Sequence, residues 1–268
     1  MRKRFLIIPI FILLSGFLYG QDWQVSPMLY KLTVSRGDTI SRIINVYNDS
    51  DQIKNFVVYK KEWHYTEDGK ELELEPGMLT RGCANWIFIT PQHFSVDPKS
   101  SRSVRYTIVV PGDLDQPGSY WTALYVEPAD APPVASSVSG QGATFEISLQ
   151  IRAKIQIYLT LDGALRKEGE ITNIDVVFDS INQNVMVQST FVNSGNMWLK
   201  CSGTVEIRND MGHTVTSFDL PLFNCFPDDK RVVKAIHPLS ASPGEYSALV
   251  VVDFKGDYLV AGEAFFDI

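Results

Sequence analysis

The sequence has few of the residues and patterns on which enzymes and metal sites depend. It contains three cysteines and four histidines in 268 residues, and no two histidines stand three or four positions apart. It also lacks a G-x-S-x-G nucleophile elbow, a P-loop and a G-x-G-x-x-G motif. We therefore predict no catalytic residues, no metal site and no small-molecule cofactor, and we expect the protein not to be an enzyme.

Long apolar runs are absent after the first twenty residues. Residues 5–18 form such a run, with Arg2, Lys3 and Arg4 before it and Gly20 after it. This layout is typical of a secretory signal peptide, and its apolar core is shorter than the about 18 residues of a membrane helix. We predict that residues 1–20 are a signal peptide, with an uncleaved anchor as the alternative. The mature protein is then expected in the periplasm, and the cell surface is the second location considered.

Positive charge is scarce in the rest of the chain. Residues 1–20 hold three of the 24 Lys and Arg residues and no acidic one, so residues 21–268 hold 21 against 31 Asp and Glu, a net charge of −10. An acidic surface without a basic stripe disfavours nucleic acid and anionic membrane as partners. We predict no nucleic-acid partner.

Helical periodicity is absent as well. Short runs of β-branched and aromatic residues end at turn residues instead, as where 104–110 meets Pro111-Gly112 and where 120–126 meets Glu127-Pro128. Such runs predict strands and turns, and turn signals every 8–12 residues or so are typical of a β-sandwich. The sequence therefore predicts an all-β protein.

The segment 145–157 has the cleanest alternation in the chain. Its apolar positions begin with Phe145, Ile147, Leu149 and Ile151, and polar residues occupy the positions between them. Thirteen extended residues span about 43 Å at about 3.3 Å each, well above the usual strand length. We predict one long strand here, preceded by a loop over residues 128–142, which are rich in proline, serine and glycine.

These patterns predict two immunoglobulin-like β-sandwich domains in tandem, joined by a long shared strand. The predicted boundaries are 21–158 for the N-terminal domain and 159–268 for the C-terminal domain. Cys201 and Cys225 flank one predicted hairpin and are the candidate disulfide, which leaves Cys83 free. Three reduced, buried cysteines are the alternative.

Short motifs in both predicted domains carry a further signal. They are residues 25–27 (VSP), 43–48 (IINVYN), 94–98 (FSVDP), 103–105 (SVR), 120–128 (YWTALYVEP) and 253–256 (DFKG). In these motifs the chain resembles the PapD-like periplasmic pilus chaperone family. The resemblance implies a chaperone or assembly protein that binds pilus or surface protein subunits by β-strand donation. The implied partner is a β-sandwich subunit, pilin-like or a surface protein, and an outer-membrane assembly protein is a second implied partner.

The resemblance also implies which residues bind the partner strand. In the family, one face of a long alternating strand replaces the strand that the subunit lacks, and its backbone pairs with the open sheet edge. Phe145, Ile147, Leu149 and Ile151 stand at the corresponding positions of this chain.

Two further groups of residues are implied by the resemblance. Arg105, Glu127 and Asp253 stand where the family has a buried charge network between its domains, although a second arginine of that network is missing here. Lys31 and Lys154 are candidate anchors for the carboxylate at the partner's C-terminus. They lie close to the positions of the family's anchoring arginine and lysine, after a small shift of register.

A second resemblance gives an alternative function. Residues 193–196 (NSGN) are similar to the N-x-G-N modules of extracellular adhesion-type sandwiches. The alternative is a non-chaperone scaffold of the cell surface or periplasm that binds a protein or a glycan. A glycan would stack on tryptophans such as Trp63 or Trp121.

Overall fold

A computed structural model of the chain describes residues 22–129, 134–140, 143–149 and 151–268. The predicted signal peptide, residues 1–20, lies outside the described residues. In the described ranges the chain is built of strands and one 3₁₀ turn, Ala84–Trp86, which confirms the all-β prediction. No helix in those ranges is long and apolar enough to span a membrane.

Nineteen strands occur in the described residues. The first twelve are β1 (Trp23–Ser26), β2 (Leu29–Val34), β3 (Thr39–Asn48), β4 (Lys54–Tyr65), β5 (Glu71–Leu74), β6 (Ile87–Thr90), β7 (His93–Val96), β8 (Ser100–Val109), β9 (Gly118–Pro128), β10 (Val134–Gly140), β11 (Ala143–Leu149) and β12 (Ala153–Leu161). The last seven are β13 (Gly169–Asp179), β14 (Asn184–Asn193), β15 (Leu199–Asn209), β16 (Thr214–Cys225), β17 (Lys230–Pro238), β18 (Glu245–Asp253) and β19 (Val260–Asp267).

The first sandwich packs two sheets face to face. One sheet has the order β1-β3-β8-β6, and the other has the order β2-β12-β9-β4-β5, with β7 also pairing β4. The second sandwich packs the sheet β13-β14-β17 on the sheet β16-β15-β18-β19. Each sandwich has a hydrophobic core of its own, so the prediction of two tandem β-sandwich domains is confirmed.

The central strand β9 explains how the first domain meets the second. Residues 118–126 of this strand are all buried, whereas β14 alternates between buried and half-buried residues. A strand that is covered on both faces has no solvent-facing polar side, so its sequence is largely apolar, and β9 has only Ser119 and Thr122 as polar residues between 118 and 126. One face of β9 packs into the core of its sandwich, and the other contributes to an aromatic cluster between the domains.

The structure differs from the sequence prediction around residues 128–157. Residues 134–140, predicted as part of a loop, form β10, which pairs with β11 over seven residue pairs. The predicted single strand over 145–157 is divided, because Ile151 and Arg152 are not in a strand. Alternation indicates which face a residue occupies, but it does not reveal whether the backbone continues straight. The prediction of one long shared strand is therefore wrong in this respect.

The strand β12 belongs to the first domain along its whole length. It pairs with β9 from Ala153 to Leu161 and with β2 from Gln156 to Leu161. The boundary predicted after residue 158 falls inside this strand, and β13 of the second domain begins at Gly169.

Candidate partner-binding site

The outward face of the sheet that contains β12 lies between the two domains. Odd-numbered residues of β12, such as Ile155 and Ile157, point into the first core. Even-numbered residues lie on the other face, where Lys154 is opposite Tyr125 and Tyr158 is opposite Trp121. We call this surface the aromatic face, and its buried members are Trp63, Trp121, Ala123, Tyr125 and Tyr158.

Phe226 of the second domain packs on the aromatic face. Its ring stacks on Trp121 with the centroids 4.0 Å apart, and it meets Trp63 edge-on at 5.2 Å. Trp198, also from the second domain, stacks on Tyr158 at 4.5 Å. Aromatic pairs at these separations add about 0.5 to 1.5 kcal/mol each beyond the area they bury. The two domains are thus joined by an aromatic interface.

Two hydrogen bonds donated by backbone amides also hold this interface. The amide of Ser119 donates to the Asn196 carbonyl over 2.8 Å, and the amide of Trp198 donates to Ser119 Oγ over 2.8 Å. The neighbouring Gly118 has a φ of +112°, and a β-carbon at this position would lie 2.1 Å from the Asn196 carbonyl oxygen. Only glycine allows both the backbone conformation and this close approach.

Polar and charged residues of both domains meet at the edge of the aromatic interface. Lys230 pairs with Glu67 at 2.9 Å, and the amide of Val232 donates to the Glu67 carbonyl over 2.8 Å. His64 Nδ1 lies 3.5 Å from Asp229 Oδ2 across the domains. Burial raises the pKa of the Asp229 carboxyl to about 7, and burial also lowers the pKa of His64. Both shifts have the same cause, since removal from water disfavours the charged form of each group.

Lys154, a candidate carboxylate anchor, borders the aromatic face and already binds a carboxylate. Its Nζ lies 2.5 Å from Glu71 Oε1 on β5 and 3.7 Å from the centroid of the Trp63 ring. The lysine side chain is only 19% exposed. Burial lowers the pKa of Lys154, and the nearby Glu71 acts in the opposite direction. Lys154 is therefore a cation that lies beside an aromatic ring and can bind a carboxylate.

Arg152 and Lys31 extend this cationic region. Arg152 forms an ion pair with Glu73 on β5, and its guanidinium lies 4.6 Å from the centroid of the Tyr125 ring. Lys31, the second candidate anchor, lies opposite Tyr158 in register and has its Nζ 4.7 Å from the centroid of the Trp198 ring. The two candidate anchors thus border the same aromatic cluster at different points and do not form a joint clamp on one group.

The β10–β11 hairpin is the second part of the candidate site. The register places Phe145 opposite Val138, Ile147 opposite Ser136 and Leu149 opposite Val134. In the described part of the chain, β11 has β10 as its one strand neighbour, whereas β12 lies between β2 and β9. The side chains of Phe145, Ile147 and Leu149 lie outside the described residues. Ile151, the fourth predicted member of the group, is exposed.

The structure does not bring Arg105, Glu127 and Asp253 together. Arg105 is exposed on β8, in the sheet on the opposite side of the first sandwich. Glu127 accepts a hydrogen bond from the Tyr59 hydroxyl over 3.2 Å, and Asp253 pairs with Lys255 at 2.5 Å. The predicted charge network is therefore corrected: within the described ranges, the aromatic interface and the Glu67 and Asp229 contacts join the domains instead.

The predicted disulfide is also corrected. Cys201, Cys225 and Cys83 are free and buried. The antiparallel register places Cys201 opposite Phe223 and Cys225 opposite Leu199, so the two cysteines are offset along the hairpin. Burial raises the pKa of the Cys201 thiol to about 12. The alternative of three reduced, buried cysteines describes the structure.

The tryptophans considered for glycan stacking are not available at the surface. Trp63 is fully buried and Trp121 is buried beneath Phe226. A sugar ring needs an open aromatic face, so the glycan interpretation loses the residues on which it was based. In the parts of the chain that the structure describes, no group of three or more His, Cys, Asp or Glu side chains is arranged to hold a metal ion.

Sequence reasoning missed three contributors to this region: Phe226, Trp198 and Glu71. Phe226 and Trp198 lie near turns of the second domain, and nothing local to them indicates contact with another domain. The run 120–126 of β9, apolar or aromatic except for Thr122, was a usable signal, because a strand without a charged or strongly polar face needs a cover on both sides.

No protein-family description and no curated protein sequence matches the chain. Three solved structures illustrate what its fold is similar to. The chaperone–tip adhesin complex of CFA/I fimbriae has 14% identity and a TM-score of 0.46, with 92% of this chain and 98% of that chain covered. The class 5 fimbriae chaperone CfaA has 14% identity and a TM-score of 0.45, with 91% and 98% covered. The CsuC–CsuE chaperone–tip adhesion subunit complex of Acinetobacter baumannii has 11% identity and a TM-score of 0.44, with 90% and 97% covered.

Proposed function

We propose that this chain is an exported chaperone-type binding protein that holds a β-sandwich subunit, pilin-like or a surface protein, by pairing with its open sheet edge. The observation that carries the proposal is the position of β11. Within the described residues it has a strand on one side only, while the chain that follows it is held inside a sheet as β12.

The free edge of β11 supplies what a partner sheet requires. An unpaired strand edge presents backbone N–H and C=O groups that can pair with another strand. The alternation of Phe145, Ile147 and Leu149 with polar residues gives the strand one apolar side for the partner's core. Because β12 is paired with both β2 and β9, the chain that follows the hairpin is held within a sheet.

The cationic border of the aromatic face supplies an anchor for a carboxylate at the partner's C-terminus. Lys154 and Arg152 bind the carboxylates of Glu71 and Glu73 in this structure, which supports a carboxylate as the ligand. Glu71 lies on β5, a four-residue strand at the sheet edge that pairs with β4. A partner's carboxylate would replace Glu71 at Lys154.

The remaining parts of the proposal concern location and additional partners. A signal peptide over residues 1–20 would direct the protein to the periplasm. An outer-membrane assembly protein would receive the subunit from it. No cofactor or reaction is needed, because binding a strand edge changes no covalent bond.

The hairpin is tested by placing charge on its apolar side. In the double variant Ile147→Asp plus Leu149→Asp, the carboxylates would have to enter the partner's core without a counter-ion, which is costly. We expect capture of the secreted subunit to fall at least tenfold, measured by affinity purification of the tagged protein and quantitative mass spectrometry. The matched control is Ser148→Asp plus Gln150→Asp, which adds the same charge on the alternate side and should keep capture.

Two outcomes distinguish this function from the alternative. If the double variant folds, has an unchanged melting temperature and still captures its partner, the proposal of β-strand donation is wrong. The non-chaperone scaffold would then be the better account, because its binding surface would lie elsewhere on the two domains.

A further inference from the structure

The short strand β5 belongs to a strongly acidic segment, residues 66–75 (TEDGKELELE). The segment contains five acidic residues and one lysine. Glutamate alternates with leucine in β5, so Glu71 and Glu73 lie on one side of the strand, two residues apart. Within the described residues β5 pairs with β4 alone, over four residue pairs. None of its four residues is buried, so β5 contributes little to the hydrophobic core.

The β4–β5 hairpin lies over the aromatic face. In the sheet order β12-β9-β4-β5, two strands separate β5 from β12. Neighbouring strands lie about 4.8 Å apart, so a flat sheet would hold β5 about 14 Å from β12. Glu71 nevertheless pairs with Lys154 at 2.5 Å, and Glu73 pairs with Arg152. The pairing of β4 changes from β9 to β5 after Lys61, so the hairpin leaves the plane of the sheet there and turns over the aromatic face.

The two ion pairs have the spacing of one extended segment bound to another. Lys154 and Arg152 are two residues apart in the chain, as are Glu71 and Glu73. The pairs form in opposite order along the two segments, as in an antiparallel arrangement. An extended segment with carboxylates two residues apart therefore fits this pair of cations, and β5 is itself such a segment.

Both ion pairs are partly open to solvent. The side chains of Glu71 and Glu73 are 35% and 28% exposed, and that of Arg152 is 39% exposed. Ion pairs in such positions contribute little to stability, because water solvates the charges when the pair separates. A carboxylate from outside the chain can therefore replace either glutamate at small cost. The turn before β5 stays attached to the second domain, where Lys230 pairs with Glu67.

We propose that β5 is an internal competitor for the partner: Glu71 and Glu73 occupy Lys154 and Arg152 until an extended partner segment, with carboxylates two residues apart, replaces them. The inference rests on the carboxylate anchor in the proposed function. It adds the chemistry of the partner's segment and a limit on its affinity. A segment with a single carboxylate would leave one cation paired with its own glutamate, so segments that satisfy both cations are favoured.

The test compares the full mature chain with the double variant Glu71→Gln plus Glu73→Gln. The probe is a labelled, amidated peptide with the sequence of residues 71–74 (ELEL), and fluorescence anisotropy measures its binding. We expect the variant to bind the peptide about tenfold more tightly than the wild type, which corresponds to about 1.4 kcal/mol, because its cations have no charged competitor. An amidated peptide with glutamine in place of each glutamate (QLQL) should bind neither protein.

The matched control is Asp68→Asn plus Glu75→Gln. It removes two negative charges from the same acidic segment, but these two acids pair with Lys70 and Lys61 and not with the cations of the anchor. The control should bind the peptide as the wild type does, and circular dichroism should report an unchanged fold for both variants. Equal affinities of the two double variants, or no binding of the acidic peptide by any of the proteins, would overturn the proposal.

This outcome is separate from the test of strand donation. The peptide assay does not depend on β11, whereas capture of the subunit does. If the Glu71 and Glu73 variant binds the peptide more tightly and the Ile147→Asp plus Leu149→Asp variant still captures the subunit, the internal competitor stands and strand donation fails. Equal peptide affinities together with loss of capture in the hairpin variant would give the reverse result.

Discussion

At the scale of single residues, two opposing effects act on the pKa of the buried Lys154 amine. Burial lowers its pKa, whereas the Glu71 carboxylate at 2.5 Å favours the charged form. Sequence alternation placed Lys154 on the side of β12 opposite the core residues Ile155 and Ile157, but it did not predict that this side is an aromatic face. It gave no information on Glu71, because the two residues are far apart in the chain and meet only through the pairing of sheet strands.

We predict that Glu71→Gln lowers the pKa of Lys154 further. A larger fraction of the amine is then neutral near neutral pH, so Lys154 should react several-fold faster with acetic anhydride, since a unit of pKa corresponds to a tenfold change in the equilibrium. Peptide mapping by mass spectrometry measures this rate. Glu75→Gln is the control, because Glu75 pairs with Lys61 and does not contact Lys154. Equal acetylation rates in the two variants would contradict the account of this site.

At the scale of strands, alternation and turn residues were sufficient to predict most of the elements. Residues 56–59, 104–110 and 120–126 all lie largely or wholly within observed strands. The failures share one cause, since the serine- and glycine-rich residues of β10 have weak strand propensity and are stabilised by pairing with β11. The strand is also interrupted at Ile151 and Arg152, where Arg152 contacts Glu73 and Tyr59. These two partners are distant in the sequence, so no local pattern predicts the contact.

The contact between elements of different domains gives a second prediction. Phe226→Ala removes the ring that covers Trp121 and Trp63, and Phe254→Ala removes an equally buried ring inside the second core. Both truncations should lower the free energy of unfolding in urea by about 3 to 5 kcal/mol. Only Phe226→Ala should also increase the radius of gyration in small-angle scattering, because it loosens the interface.

The comparison of these two variants decides the role of Phe226. An unchanged radius of gyration in Phe226→Ala would mean that the backbone bonds of Ser119, Asn196 and Trp198 hold the domains without the aromatic contacts.

At the scale of the whole molecule, the number of domains was predictable and their contact was not. Two cores follow from the length and from the strand pattern. The contact depends on side chains from three strands, β4, β9 and β12, and from several turns, and the charge network implied by the family resemblance is replaced here by aromatic rings. Resemblance in short motifs thus predicted the architecture better than it predicted the residues that join the domains.

The buried Asp229 makes the stability of the whole molecule depend on pH. Its folded pKa of about 7 lies above the ordinary value of 3.8, so the folded state binds the proton more tightly. The resulting stabilisation is complete below pH 3.8 and is lost as the pH rises to 7, because stability falls wherever the folded state holds more protons. We expect Asp229→Asn to be more stable than the wild type at pH 8, by about 2 kcal/mol, and to show no such advantage at pH 4.

Urea unfolding of both proteins at pH 4, 6 and 8 measures this difference. Asp228→Asn is the matched control, because the Asp228 side chain is largely exposed and removal of its charge should change little. A constant difference between Asp229→Asn and wild type across the three pH values would show that folding does not raise the pKa of this carboxyl.

The interface leaves no space for a side chain at Gly118. The space that an alanine methyl would need is taken by the carbonyl of Asn196, and that same Asn196 binds the amide of Arg166 and the carbonyl of Ala164 in the segment connecting the domains. The close approach of the two domains therefore requires a residue without a β-carbon at position 118. Any substitution of Gly118 would change the relative position of the domains, whereas substitutions in exposed turns would leave it unchanged.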